Sequence, residues 1–182
     1  VSGDNPVANA IACCLAFECD ESSWNGDCVR MLLAELERMH CHMADLGGMA
    51  NDVAFVVPAQ QLAVLRERVL RLNHLLTGDR FGRNAVIPGG VRRVIDATLA
   101  RKAEAEVVRF GMESERICDG MLSNSSFIDR LETTGRISKR TAEEMNLVGP
   151  VSRASGVEYD VRTVSPYGAY AVANMRVPTR KA

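Results

Sequence analysis

Aromatic residues make up only 5% of this 182-residue chain, too few for a surface on which single-stranded nucleic acid stacks. Excess charge of one sign is missing too. Twenty-two basic and 23 acidic residues leave a net charge of −1, so no overall field selects nucleic acid, an anionic membrane or an acidic substrate. No apolar run is long enough to cross a bilayer, and the run 7–17 falls well short of it. The opening VSGDNP has no basic n-region, so no secretory leader is visible. Cysteine is present six times, at 13, 14, 19, 28, 41 and 118, but never in the C-x2-C spacing of zinc, redox or iron–sulfur sites. Five of the six fall in the first 41 residues, mostly at apolar helical positions. They read as reduced, buried thiols of an intracellular protein. Glycine-rich phosphate-binding fingerprints are lacking as well. The chain starts at Val1, with no methionine, and is read as a piece of something longer.

What is present is helical. Hydrophobic content of 47% and charged content of 25% are those of a soluble globular protein with a core of its own. The stretch 27–52 carries Val29, Leu32, Leu33, Leu36, Met39, Met43 and Leu46 at three- and four-residue steps, an amphipathic helix capped by Asp27 and ended by Gly47-Gly48. Glu35, Arg38, His42 and Asp45 share another face of it, as local ion pairs or as a site. A preceding helix starts at Pro6 and runs to about Asp20. A third spans about Gln60 to Leu76, with Leu62, Leu65, Val69, Leu72 and Leu76 inward and Gly78 at its end. GDRFGRNAVIPGGVRR is irregular and concentrates Arg80, Arg83, Arg92 and Arg93, either a surface loop or an anion cradle. A second long helix follows from Val91 to about Leu122. Short helices cover 126–133 and 139–145, the latter capped by Ser138. Beyond Val148 the alternation Val157-Glu158-Tyr159-Asp160-Val161 predicts loop and a short hairpin or edge strands. The expected organisation is one mainly α domain: a helical bundle over 1–147, with a glycine- and proline-rich region, 148–182, packed on it.

Four motifs in order carry a family likeness: LLAELERMHCHMADLG (32–47), NHLLTGDRFGRN (73–84), PGGV (88–91) and RASGVEYDVRTVSPYGAY (153–170). Together they resemble the large hydrogenase-like subunit shared by respiratory complex I and the membrane-bound nickel-iron hydrogenases of the formate hydrogenlyase type. The resemblance runs from about Val1 to Pro178. It implies a multi-helical bundle beside a small iron–sulfur subunit, in a peripheral complex on the cytoplasmic face of a membrane. It further implies quinone as substrate, with NADH and iron–sulfur clusters held by partner subunits and no cofactor held by this chain. A fragment of such a subunit is expected to be inactive and to self-associate through uncovered apolar surface.

The resemblance also assigns residues. The hydrogenase C-x2-C pair falls on Ser2 and Asn5, neither of which supplies a thiolate, and the second pair would lie beyond Ala182. Nickel is therefore not expected. The quinone-holding tyrosine of complex I falls near Gly3. Asp52 matches the acid behind that family's histidine, and His42 matches a histidine of its long helix. These two are the candidate proton donors to a reduced quinone. Arg80, Arg83, Pro88, Gly89, Gly90, Arg153, Asp160, Arg162 and Tyr167 belong to loops that face the partner subunit and cleft, with an Arg–Asp fork fixing the last loop. Two other readings stand beside this one: a non-catalytic scaffold that has lost its ligands, and, remotely, a nucleic-acid-binding helical module using the arginine cluster.

Overall fold

The computed structural model describes residues 4–17, 24–173 and 177–178. The chain is mainly α. Helix α1 (Asp4–Ala16) precedes two long antiparallel helices, α2 (Trp24–Asp52) and α3 (Val56–Thr77). A two-stranded hairpin, β1 (Val86–Ile87) and β2 (Gly90–Val91), leads into α4 (Ala97–Leu122). Short helices follow: α5 (Ser125–Leu131), α6 (Lys139–Glu144), α7 (Gly149–Ala154), α8 (Val161–Val164) and a 3-10 turn over Gly168–Ala171. Two compact units divide the chain, Val1–Arg130 and Leu131–Ala182.

In the first unit α3 packs against α2 on one side and α4 on another. Its predicted inner face holds in full: Leu62, Leu65, Val69, Leu72 and Leu76 are all buried. Each such side chain contributes roughly 1.5–3 kcal/mol. Gly78 ends α3 in the left-handed region (φ 86°) and its N–H donates to His74 O, as the sequence predicts. Arg68 of α3 reaches two carboxylates of α4, Glu113 at 2.6 Å and Glu106 at 3.2 Å. At the start of α4 the Asp96 carboxylate accepts the Leu99 N–H.

Helix α2 departs from expectation at both ends. It starts three residues before Asp27, which sits in the first turn, and it runs straight through Gly47-Gly48. Each helical glycine costs about 1 kcal/mol relative to alanine. Against that, α3 lies close alongside: a Cβ at Gly47 would meet Leu62 Cβ at 3.6 Å and Ala59 O at 3.7 Å, and Ala50 beyond is fully buried. Packing outweighs propensity. The helix is closed instead by a Schellman turn, with Phe55 N–H donating to Ala50 O (2.7 Å) and Ala54 N–H to Asn51 O (3.0 Å). The left-handed residue of that turn is Ala54, φ 60°. A Cβ there is strained by about 1 kcal/mol. Ala54→Gly is therefore expected to raise stability by roughly 0.5–1 kcal/mol, read as a higher urea midpoint at unchanged slope.

The hairpin is not where alternation predicts it. Among the described residues beyond Val148 there is no strand; α7, α8 and the 3-10 turn occupy that region. The Val157–Val161 alternation fails because Gly156 takes a positive φ of 86° and Asp160 starts a helix, its carboxylate accepting the Arg162 N–H. The two strands lie instead at Val86↔Val91 and Ile87↔Gly90, joined by Pro88-Gly89. Proline followed by a glycine at φ 77° is the type II turn signature. The second long helix accordingly begins at Ala97, not Val91. Among the described residues the first helix spans Asp4–Ala16; its expected end near Asp20 lies outside them. Ser138 does cap α6, accepting the Thr141 N–H at 3.1 Å.

Candidate functional site

The PGGV hairpin is held from below by a side chain that periodicity alone overlooks. Arg30 lies on the inward stripe of α2 that runs Gly26, Arg30, Leu33, Leu36, His40, Met43 and Ala50, all buried. Its guanidinium donates from Nε to Gly90 O (3.2 Å) and from Nη2 to Ile87 O (2.8 Å). Asp27 lies 3.5 Å from Nη1. From α1, the buried Cys14 accepts the Gly89 N–H at 3.0 Å. Pro88 and Gly89 are exposed and Gly90 is half-buried. The outer turn of the loop is thus presented on a fixed base. Arg30 and Cys14 had a legible signal: a charge and a thiol in phase with leucines and alanines, where a polar group needs a partner.

The basic segment before the hairpin is likewise organised. Asp79 Oδ1 accepts the N–H groups of Phe81 (2.8 Å) and Arg83 (3.1 Å), and these bonds hold its carboxyl below the ordinary 3.8. Arg80 makes a two-pronged pair with Glu67 at 3.0 and 2.7 Å, which Arg71 shares at 3.1 Å. Arg83 stacks over Phe81, 5.4 Å from the ring centre. Arg93 donates to Leu75 O at 3.2 Å. The arginines are therefore spread over separate partners rather than gathered around one anion.

In the second unit, RASGVEYDVR closes on itself. Arg153 Nη1 meets Asp160 Oδ2 at 2.9 Å, while Arg162 forks onto the same carboxylate, Nε to Oδ1 and Nη2 to Oδ2, both 2.9 Å. All three side chains are at most 15% exposed. The Arg162 bonds chiefly, with help from Arg153, pull the Asp160 carboxyl down from 3.8 to about 2. Tyr167 and Tyr170 pack edge to face with ring centres 5.0 Å apart.

The two candidate proton donors do not meet. His42 and Asp52 are both exposed on α2. Ten residues of helix separate them by roughly 15 Å and turn them well away from one another. His42 lies beyond a Glu35–Arg38 pair at 3.2 Å. The buried histidine of α2 is His40, which periodicity also passed over. Burial, then the nearby Arg66 charge, push it below the ordinary 6.5, and it meets Phe81 edge on at 6.4 Å. Asp52 ends α2 at the negative pole of the helix dipole, with no basic residue in that last turn.

Among the described residues no three His, Cys, Asp or Glu side chains converge as metal ligands. Asn5 is exposed in the first turn of α1, while Ser2 lies outside the described residues. Of the cysteines described, all are free; Cys14 is buried, but Cys13, Cys28 and Cys118 are half-buried and Cys41 is exposed, so the expectation of uniformly buried thiols fails. Partial desolvation, with the nearby Glu37 and Asp45 carboxylates at Cys41 and Asp119 at Cys118, raises both thiols above their ordinary values. No described helix is long and apolar enough to cross a membrane.

Known proteins show the same architecture. A chain of the membrane-bound sulfane sulfur reductase, an archaeal respiratory membrane complex, superimposes with a TM-score of 0.80 at 29% identity, over 87% of this chain and 43% of that one. One of the NADH-quinone oxidoreductase subunits of Solibacter usitatus is 28% identical over 96% of this chain and 48% of its own length. The alpha subunit of the membrane-bound hydrogenase of Pyrococcus furiosus is 31% identical over 78% of this chain and 33% of its own. The chain thus spans less than half the length of these relatives. Fold and relatives define the class: helical subunits of complex I-like and hydrogenase-like membrane complexes. The profile of the respiratory-chain NADH dehydrogenase 49 kDa subunit matches residues 52–182, and the chain belongs to that family.

Proposed function

We propose that this chain forms part of a large subunit that sits against a small iron–sulfur subunit and hands electrons to a quinone-like acceptor. In this reading NADH and the clusters belong to partner subunits, and the complex lies peripherally on a membrane. The observation that carries it is the pair of fixed loops in a member of this family: PGGV on Arg30 and Cys14, and RASGVEYDVR on Asp160. A surface that must dock a partner to within hydrogen-bond tolerance benefits from loops whose position is settled in advance.

Reducing a quinone to the quinol consumes two electrons and two protons, so acid groups must reach its oxygens. His42 and Asp52 are too far apart along α2 to touch one head group together. Asp52 is the stronger assignment. It occupies the helix end where an acid is disfavoured, and the strained Ala54 follows two residues later. Local costs that stability does not explain are typical of functional positions. Arg80, Arg83, Pro88–Gly90, Arg153, Arg162 and Tyr167 border or brace the docking loops.

The test uses the complex purified through a tag on the complete subunit. A small iron–sulfur protein is expected to co-purify, without nickel. Asp52→Asn is expected to lower quinone-analogue reduction about 100-fold while raising the chain's own stability by about 0.3–1 kcal/mol through the helix dipole. His42→Ala reports on the second donor. Unchanged turnover in both would remove these assignments and favour the scaffold reading, for which Asn5, exposed where the resemblance puts a thiolate, is the specific support. Absence of an iron–sulfur partner would remove the function itself.

A further inference from the structure

The corner that follows Asp52 has no polar side chain to hold it. Val53, Ala54 and Phe55 are all apolar, and α3 starts after Phe55 without a side-chain cap. Backbone bonds close the turn, Phe55 N–H to Ala50 O and Ala54 N–H to Asn51 O, and they close it through an alanine at φ 60°. A left-handed alanine relaxes unless its surroundings oppose it. The opposing contact is aromatic. The Phe55 ring lies against that of Phe127, with 5.7 Å between centres and a tilt of 49°. Phe55 otherwise borders an open depression that it shares with Val57, Ile117 and Gly120. Phe127 is itself fixed. It is 5% exposed, and its N–H donates to Asn124 Oδ1 at 2.9 Å, just where α5 follows α4. Both rings lie in the first unit. A ring pair of this kind contributes about as much as the strained alanine costs, so its presence or absence decides whether the turn stays closed.

We infer that Phe127 is a positioning residue for Asp52. Through Phe55 it keeps Ala54 left-handed, and with Ala54 so held the last turn of α2 stays wound through Asp52. Without the ring contact that turn loosens and the carboxylate moves with it. A carboxylate that delivers a proton to a quinone oxygen must lie within hydrogen-bond reach of it, and small errors in its place cost rate steeply. Phe127 touches no reactant. The inference rests on the reading of Asp52 as proton donor, and the experiment separates the two.

Quinone-analogue reduction is followed in the tagged, assembled complex. Phe127→Leu and Phe55→Leu keep apolar bulk but break the ring pair. Each is expected to lower kcat about tenfold while KM stays within about twofold of the parent. Phe55→Tyr keeps the ring, and the open depression leaves room for its hydroxyl; its kcat is expected within about twofold of the parent. In an Asp52→Asn background neither leucine substitution should lower kcat by more than about twofold, because the group being aimed is gone. A change that merely loosened the fold would multiply with Asp52→Asn instead. Trp24 emission verifies that the first unit of each variant is folded. Unchanged kcat in both leucine variants, a loss carried by KM, a Phe55→Tyr as slow as Phe55→Leu, losses that multiply with Asp52→Asn, or failure of both leucine variants to assemble would each overturn the positioning role and leave Asp52 as donor. Turnover untouched by Asp52→Asn itself would overturn both.

Discussion

Asp160→Ala is expected to destabilise the second unit by about 3–5 kcal/mol, the range for stripping one member from a buried ion cluster. The carboxylate answers two guanidiniums at once, 2.9 Å from each, and both arginines are nearly as enclosed as it is. Without it, two desolvated positive charges face each other. Asp160→Asn keeps an oxygen able to cap α8 through the Arg162 N–H, so it is expected to recover only the capping share, about 1 kcal/mol. Arg162→Ala should cost more than Arg153→Ala, because Arg162 makes a two-pronged fork and Arg153 a single bond. The reporters are built in: the three tyrosines, 159, 167 and 170, all lie in this unit, and the single tryptophan, Trp24, lies in the other. Urea unfolding followed by tyrosine absorbance should shift, while Trp24 emission should not. An Asp160→Ala midpoint within about 1 kcal/mol of the parent would show the cluster to be ornamental to stability.

The same carboxylate fixes a pH dependence. Its folded value, about 2, lies below the ordinary 3.8, so the unfolded chain binds the proton more readily. The stabilisation, roughly 2 kcal/mol, is fully present above the ordinary value. It drains away as the pH falls from there through about 2. Tyrosine-detected stability should therefore fall across that window in the parent, and this part of the fall should vanish in Asp160→Asn.

How far the residues announced this structure depends on what kind of signal each element sends. α3 repeats its leucines and valines at helical spacing, and its buried face follows directly. Caps are local chemistry, so Ser138 and Gly78 were legible. The Arg153–Asp160–Arg162 cluster came from a motif's resemblance, since nothing in periodicity links residues seven apart across a loop. Two-residue strands are too short for alternation to register, so periodicity does not reveal the hairpin, although Pro88-Gly89 between apolar pairs is its turn signature. In α2 the most apolar positions do not coincide with the stripe that is buried: Arg30 and His40 stand on it beside Leu33, Leu36 and Met43, while Val29, Leu32 and Met39 are only half-covered. Hydrophobicity marks a face only when polar residues stay off it. Here two polar side chains turn inward because the hairpin carbonyls and an aromatic edge receive them, and those partners are distant in sequence. His42, more conspicuous beside Glu35 and Arg38, points to water.

Arg30→Met is expected to cost the first unit about 3 kcal/mol and to free the hairpin. Methionine retains the stem's apolar packing, so the change isolates the guanidinium. Two charge-assisted bonds, each worth about 1.5–3 kcal/mol, disappear and the Ile87 and Gly90 carbonyls are left to find water. Arg30→Lys keeps the charge but not the fork; one ammonium cannot reproduce donors at Nε and Nη2 aimed at two carbonyls three residues apart, and less than half of the loss should return. Hydrogen exchange locates the effect. The Gly89 amide, bonded to Cys14 Sγ, and the Arg92 amide, bonded to Ala85 O, should lose protection ahead of the amides in the middle of α3. Cys14→Ala removes the other tether, and because both hold one four-residue loop the double variant should depart from additivity by more than about 0.5 kcal/mol. Strict additivity would mean that each tether holds its own neighbour and that the hairpin is not a single rigid element. In the assembled complex the sharper consequence follows. If the loop serves docking, Arg30→Met should lose partner subunits at temperatures where Trp24 emission still reports a folded first unit, since a freed loop must be ordered again on every encounter.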